Sequence, residues 1–202
     1  MNRDINPKMD LNPKMDLNQK KDITTALVTE HRLILRMITL LERNAPLTAA
    51  GGYTNWQFYL DGVDFIRNYA DRFHHAKEED VLFEALVKNG MPREHSPIAA
   101  MLMEHDQGRA FVKAMETAAL EALDGQPGRE QIIADNALAY AALLREHIAK
   151  EDEILYPLAE RVLPDTMRDD IVAGYSAAEA RTAADFTAGY EAVVVGYEQE
   201  SL

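Results

Sequence analysis

Residues 72–83 read Arg72-Phe-His74-His-Ala-Lys-Glu78-Glu-Asp-Val-Leu-Phe83, and residues 145–156 read Arg145-Glu-His147-Ile-Ala-Lys-Glu151-Asp-Glu-Ile-Leu-Tyr156. Both follow one pattern: Arg-x-His-x-Ala-Lys-Glu, two acids, a β-branched residue, Leu and an aromatic ring. His74 and His147 stand 73 positions apart, as do Glu78 and Glu151; upstream, Glu30-His31 recurs 74 positions later as Glu104-His105. A register kept over several pairs marks a duplicated helix pair. Within each copy His and Glu are four residues apart, so they share one face of a helix.

Working outward, apolar residues from Asp22 to Leu163 recur with helical spacing and show no strand alternation. Ile23, Leu27, Ile34, Leu35, Ile38 and Leu41 line a first helix over about 22–43, ended by Pro46 and Gly51-Gly52. A second runs from near Thr54 to Asn89, with Gly90 as its C-terminal stop and Pro92 beyond. Ser96-Pro97 opens a third, which ends near Leu123. A fourth follows Pro127-Gly128 and extends to about Leu163, with Pro157 expected to kink or end its last turns. A fifth is expected over about 166–184, and Ala192-Val-Val-Val-Gly196 reads as strand or helix. The fold class is therefore all-α: an antiparallel, up-down four-helix bundle over 22–163 with a C-terminal, largely helical extension over 164–202. Residues 1–21, with tandem Asn-Pro-Lys-Met-Asp-Leu repeats at 6–11 and 12–17, read as a flexible arm.

Composition narrows the chemistry. The chain has 202 residues, enough for one domain with a sizeable core. Its formal net charge of −13 disfavours nucleic acid and anionic membrane surfaces as partners. No apolar run is long enough to span a bilayer and no secretory leader is visible, so a cytoplasmic protein is expected. The absence of cysteine excludes thiolate catalysis and thiolate metal sites within this chain.

The helical stripes carry His31, His74, Glu78, His105, His147 and Glu151 inward. Two buried carboxylates with no Lys or Arg on their stripes would cost several kcal/mol without a counter-charge, and a metal supplies one. Four imidazoles and two carboxylates are too many for a single tetrahedral zinc. They suit two ions, His31 and His74 on one, His105 and His147 on the other, with Glu78 and Glu151 bridging and an oxo or hydroxo group as a third bridge. Iron, manganese and zinc all fit these donors. His75-x-x-x-Glu79 has the same spacing as His74-x-x-x-Glu78, but the repeat aligns His75 with Ile148 and favours His74 and Glu78. His75 is then expected beside the ligands or partly exposed, and His95 in a solvated loop. Glu30 and Glu104 read as helix-surface charge, the alternative being acceptors that fix an imidazole. Lys77–Asp80 and Lys150–Glu153 read as solvated face. Tyr140, Trp56, Phe58 and Tyr59 read as packing, with Tyr140 also able to donate to a bound oxygen species.

This ordered set closely resembles the hemerythrin-like, or HHE cation-binding, family over residues 22–163. The family's pattern is one His on the first helix, His-x-x-x-Glu on the second, one His on the third and His-x-x-x-Glu on the fourth. The resemblance implies a non-haem di-iron centre that binds or senses dioxygen, nitric oxide or a peroxide-level species, or handles iron. A di-iron redox enzyme or an iron-donating factor for iron–sulfur cluster repair is the alternative it leaves open. Two positions depart from the oxygen-carrying hemerythrins. Met101 stands where they have an extra His, and Glu151 stands four residues after His147 where they have an Asp at five. The resemblance therefore implies a more symmetric site with more open coordination than a reversible oxygen carrier.

Overall fold

A computed structural model describes residues 20–200; the tandem repeats of the N-terminal arm lie outside them. The described residues are all-α, with no strand. Helix α1 spans Thr25–Ala49. Rod α2 covers residues 56–88, α3 covers Pro97–Leu123, and rod α4 covers residues 130–162. These four, joined by short loops, form the antiparallel bundle: α4 packs between α1 and α3, and α3 packs on α2. Helices α5 (Asp165–Glu179) and α6 (Phe186–Glu198) form the C-terminal extension. The Ala192–Gly196 stretch is thus helical.

Several boundaries differ from the sequence reading, each for a local reason. Pro46 does not end α1, which runs on to Ala49, and Gly51 at φ +74° follows as the stop. The cap of α2 is Asn55, whose side chain accepts from the Phe58 N–H, rather than Thr54. Gly90, at φ +101°, closes α2 as expected. Pro157 does not end α4: it directly follows the π-helical Glu151–Leu155, and the helix continues to Val162.

The ligand-bearing rods are not uniformly α-helical. Glu78–Leu82 and Glu151–Leu155 are π-helical, again 73 residues apart. In α2 alone a second, longer π segment covers Ile66–His75. An i→i+5 turn advances the register by one residue. That is why Leu155 and Tyr156 are buried while Ile154, expected inside on a strict 3.6-residue period, is 59% exposed.

The apolar interior is divided. One cluster, including Ile34, Ile38, Phe58, Tyr69, Met115 and Ala141, fills most of the bundle and extends to Val194 of α6. A second, including Leu27, Leu82, Phe83, Ile98, Leu155 and Tyr175, fills the end covered by α5. Buried Arg168 of α5 donates to the Glu160 carboxylate and to the Lys21, Glu160 and Leu163 carbonyls, fastening that end. A layer of buried His and Glu side chains belongs to neither cluster.

Candidate metal centre

That polar layer contains His31 from α1, His74 and Glu78 from α2, His105 from α3, and His147 and Glu151 from α4, all buried. The six residues singled out from the sequence are brought together. They form two matched imidazole pairs: His31 Nε2 faces His74 Nε2 at 2.9 Å, and His105 Nε2 faces His147 Nε2 at 3.0 Å. Each carboxylate lies between the pairs. Glu151 reaches His147 Nε2 at 3.1 Å and His31 Nε2 at 3.4 Å. Glu78 reaches His74 Nε2 at 3.6 Å and His105 Nε2 at 3.7 Å.

The outward nitrogens show how the rings are held. His31 Nδ1 lies 2.9 Å from Asp152, His74 Nδ1 2.9 Å from Glu30, His105 Nδ1 2.7 Å from Glu79, and His147 Nδ1 2.9 Å from Glu104. A carboxylate accepts, so Nδ1 carries the proton and Nε2 presents a lone pair inward. Lys77 and Lys150 in turn donate to Glu30 and Glu104. This corrects two readings. Glu30 and Glu104 are not surface charge, and the acidic runs are not simply solvated: Glu79 and Asp152 orient imidazoles, and Lys77 is fully buried, over the Phe73 ring at 3.8 Å. The signal was present in the sequence, since Glu79 and Asp152 recur at the 73-residue offset and Glu30 and Glu104 at 74.

This donor set suits cations. Two nitrogens each about 2.1 Å from one ion at a right angle lie about 3.0 Å apart, which is the spacing of both imidazole pairs. Two inward lone pairs at that distance repel unless a cation lies between them. Glu78 Oε2 and both Glu151 oxygens are buried with no hydrogen-bond partner. Burial and the neighbouring Glu151 push the Glu78 carboxyl well above its usual range, whereas burial of Glu151 is outweighed by His147 and His31, which hold it well below its own.

Other candidates divide clearly. His75 is buried rather than partly exposed, and by distance alone it groups with Glu78, His105 and His147. Its ring, however, stacks face to face on His105, with centroids 3.7 Å apart and planes 11° apart. An ion in the plane of one ring lies outside the plane of the other, so this arrangement excludes both as ligands of one ion. Burial and His105 lower the His75 pKa to about 4. Met101 is buried beside Ile98 in the apolar cluster under α5, and His95 is exposed in its loop at φ +53°. Tyr156 was read from sequence only as the pattern's closing aromatic. Its hydroxyl donates to Glu78 Oε1 at 2.6 Å, and its ring stacks on His31. Its repeat partner, Phe83, lies against His105 without a hydroxyl.

The profile of the hemerythrin HHE cation-binding domain matches residues 22–159, a span that contains all six residues. The chain belongs to the hemerythrin HHE cation-binding family. Membership brings cation binding, typically of iron, and the buried His/Glu clusters of this hemerythrin domain could hold a metal ion. Two curated relatives, each named as an uncharacterized protein, come from Mycobacterium tuberculosis (strain ATCC 25618 / H37Rv) and Mycobacterium bovis (strain ATCC BAA-935 / AF2122/97). Each is 24% identical over 170 residues, which is 83% of this chain. The chain spans about 64% of the length of those relatives. No solved structure matches it. No helix among the described residues is long and apolar enough to cross a membrane.

Proposed function

We propose that this hemerythrin domain holds two iron ions and binds a small oxygen-bearing ligand, namely O₂, NO or a peroxide-level species, for sensing, storage, protection or iron handling. In this reading His31 and His74 serve one ion and His105 and His147 the other. Glu78 and Glu151 would be shared by both ions, with an oxo or hydroxo group completing the set. The observation that carries it is the paired Nε2 spacing of 2.9 and 3.0 Å, with every Nδ1 tied to a carboxylate. Protons are the competing counter-charge: burial works against charge on His31 and His147, but their carboxylate contacts prevail and raise both, His31 to about 9, so metal content decides between the two.

Bound iron would supply open coordination positions and ferrous–ferric cycling. The chain's residues do the rest. Asp152, Glu30, Glu79 and Glu104 fix the imidazole tautomers, Tyr156 holds one Glu78 oxygen, and the two apolar clusters keep bulk water from the ends of the site. Because His must be neutral to bind, metal affinity falls on acidification. The test is metal content of protein purified without added metal, with the optical spectrum recorded before and after reduction and exposure to O₂ or NO. About two irons per chain and gas-responsive charge-transfer bands are expected. A metal-free sample at neutral pH would overturn the reading, and zinc or manganese would displace iron while keeping the site.

A further inference from the structure

Beside the imidazole layer, on the His105/His147 side, lies a cavity of about 210 Å³. His75, His105 and His147 contribute to its lining, and Ile66, Val112, Leu143 and Leu144 supply apolar surface. Its floor plan comes from the long π segment of α2, which lends Ile66, Arg67, Asp71 and His75 to the lining and has no counterpart in α4. Gly108, on α3, makes room: a side chain there would meet the Tyr140 ring at 3.4 Å and Leu143 at 3.8 Å. Tyr140 contributes to this lining, and its buried hydroxyl has no hydrogen-bond partner. A buried phenol normally finds an acceptor.

A diatomic gas needs far less space, since an apolar cavity of about 150 Å³ already accepts benzene. We infer that this cavity is a binding site for a compact, mostly apolar organic molecule of about benzene size. The molecule carries one hydrogen-bond acceptor, such as a carbonyl oxygen, which takes the Tyr140 hydroxyl and lies against the His105/His147 half of the centre. Of the cations in the lining, Arg109 is tied to Asp71, Glu79 and Asp106 and Arg67 to Glu116, which leaves an anion only the solvent-exposed Lys113 to pair with. The inference deepens the proposal above and rests on it only for what the ligand meets there, not for the binding itself.

The probe is 4-fluoroacetophenone, followed by its fluorine NMR line on the full-length protein as purified, with fluorobenzene as the probe that lacks the acceptor. Saturable binding of both to the wild type is expected. Tyr140→Phe should weaken the ketone by up to about ten-fold, the worth of one neutral hydrogen bond, and leave fluorobenzene unchanged. Gly108→Leu should abolish both. If that variant does not fold, Gly108→Ala, whose methyl enters at ordinary contact distance, should weaken both by about three-fold, the scale of one displaced methyl-sized volume. No saturable binding by the wild type would overturn the site, as would unchanged binding in the Gly108 variants or an equal response of both probes to Tyr140→Phe. Iron measured on the same samples separates the two claims. Probe binding without iron would sink the di-iron reading and keep the cavity, and iron without probe binding would do the reverse.

Discussion

The two halves of the duplicated bundle carry the same inner residues and close around them differently. On the His31/His74 side, the Tyr156 ring covers His31, and Lys77 is fully buried between Glu30 and Glu179 of α5, the latter at 3.2 Å. On the His105/His147 side, Phe83 replaces the tyrosine, Lys150 is 38% exposed with Glu104 as its one acidic partner, and the cavity opens beside the imidazoles. The comparison separates two demands on the sequence. Residues that point at the shared centre, and the carboxylates behind them, keep the internal repeat. Residues that govern access to it do not.

The largest expected effect tests the part the halves share. Glu78→Ala and Glu151→Ala should each lose both metal ions, because each carboxylate lies between the two imidazole pairs, whereas His31→Ala should lose mainly one. Metal content per chain after desalting checks this; equal losses in all three variants would break the bridged arrangement. Glu30→Gln or Glu104→Gln should cost about 10- to 100-fold in metal affinity while keeping stoichiometry.

The lysines sharpen the difference. Lys77→Met removes the cation from a buried partner and should destabilise the fold by about 3–5 kcal/mol, whereas Lys150→Met, half in solvent, should cost less than about 1 kcal/mol. Chemical denaturation of the two variants reads the contrast, and similar losses would show that α5 does not seal the first half. The smallest effect concerns Glu79. Burial works against its charge, but hydrogen bonds from His105 and Arg109 prevail and lower its pKa from 4.5 to about 2. A depressed carboxylate stabilises the fold above its unfolded pKa and loses that contribution as pH falls through the folded one. The stability gap between wild type and Glu79→Gln should therefore be fully present above about pH 4.5 and close toward about pH 2.

Much of this was legible in the sequence. The four bundle helices and the six inner side chains followed from 3.6-residue periodicity and from a repeat that holds its register. The outer carboxylates were equally encoded at the same offsets. They were misjudged because acidic residues beside Lys77 and Lys150 look like a solvated helix face until the facing imidazoles are known. The buried side of α4 past Glu151 was misplaced for a different reason. A π turn shifts every later residue by one, and periodicity alone does not announce it, so a strict 3.6-residue count puts Ile154 where Leu155 and Tyr156 lie. The cavity was out of reach for the same reason, since it depends on the π segment Ile66–His75 and on what Gly108 leaves open across the bundle.

A crystal structure of protein purified without added metal, with anomalous data collected at the iron edge, tests the central claim most directly. Two peaks should appear in the layer between the apolar clusters, one bonded to Nε2 of His31 and His74 and the other to Nε2 of His105 and His147, with Glu78 and Glu151 touching both. A single peak, no peak, or any of those four histidines turned away from the shared space would contradict it.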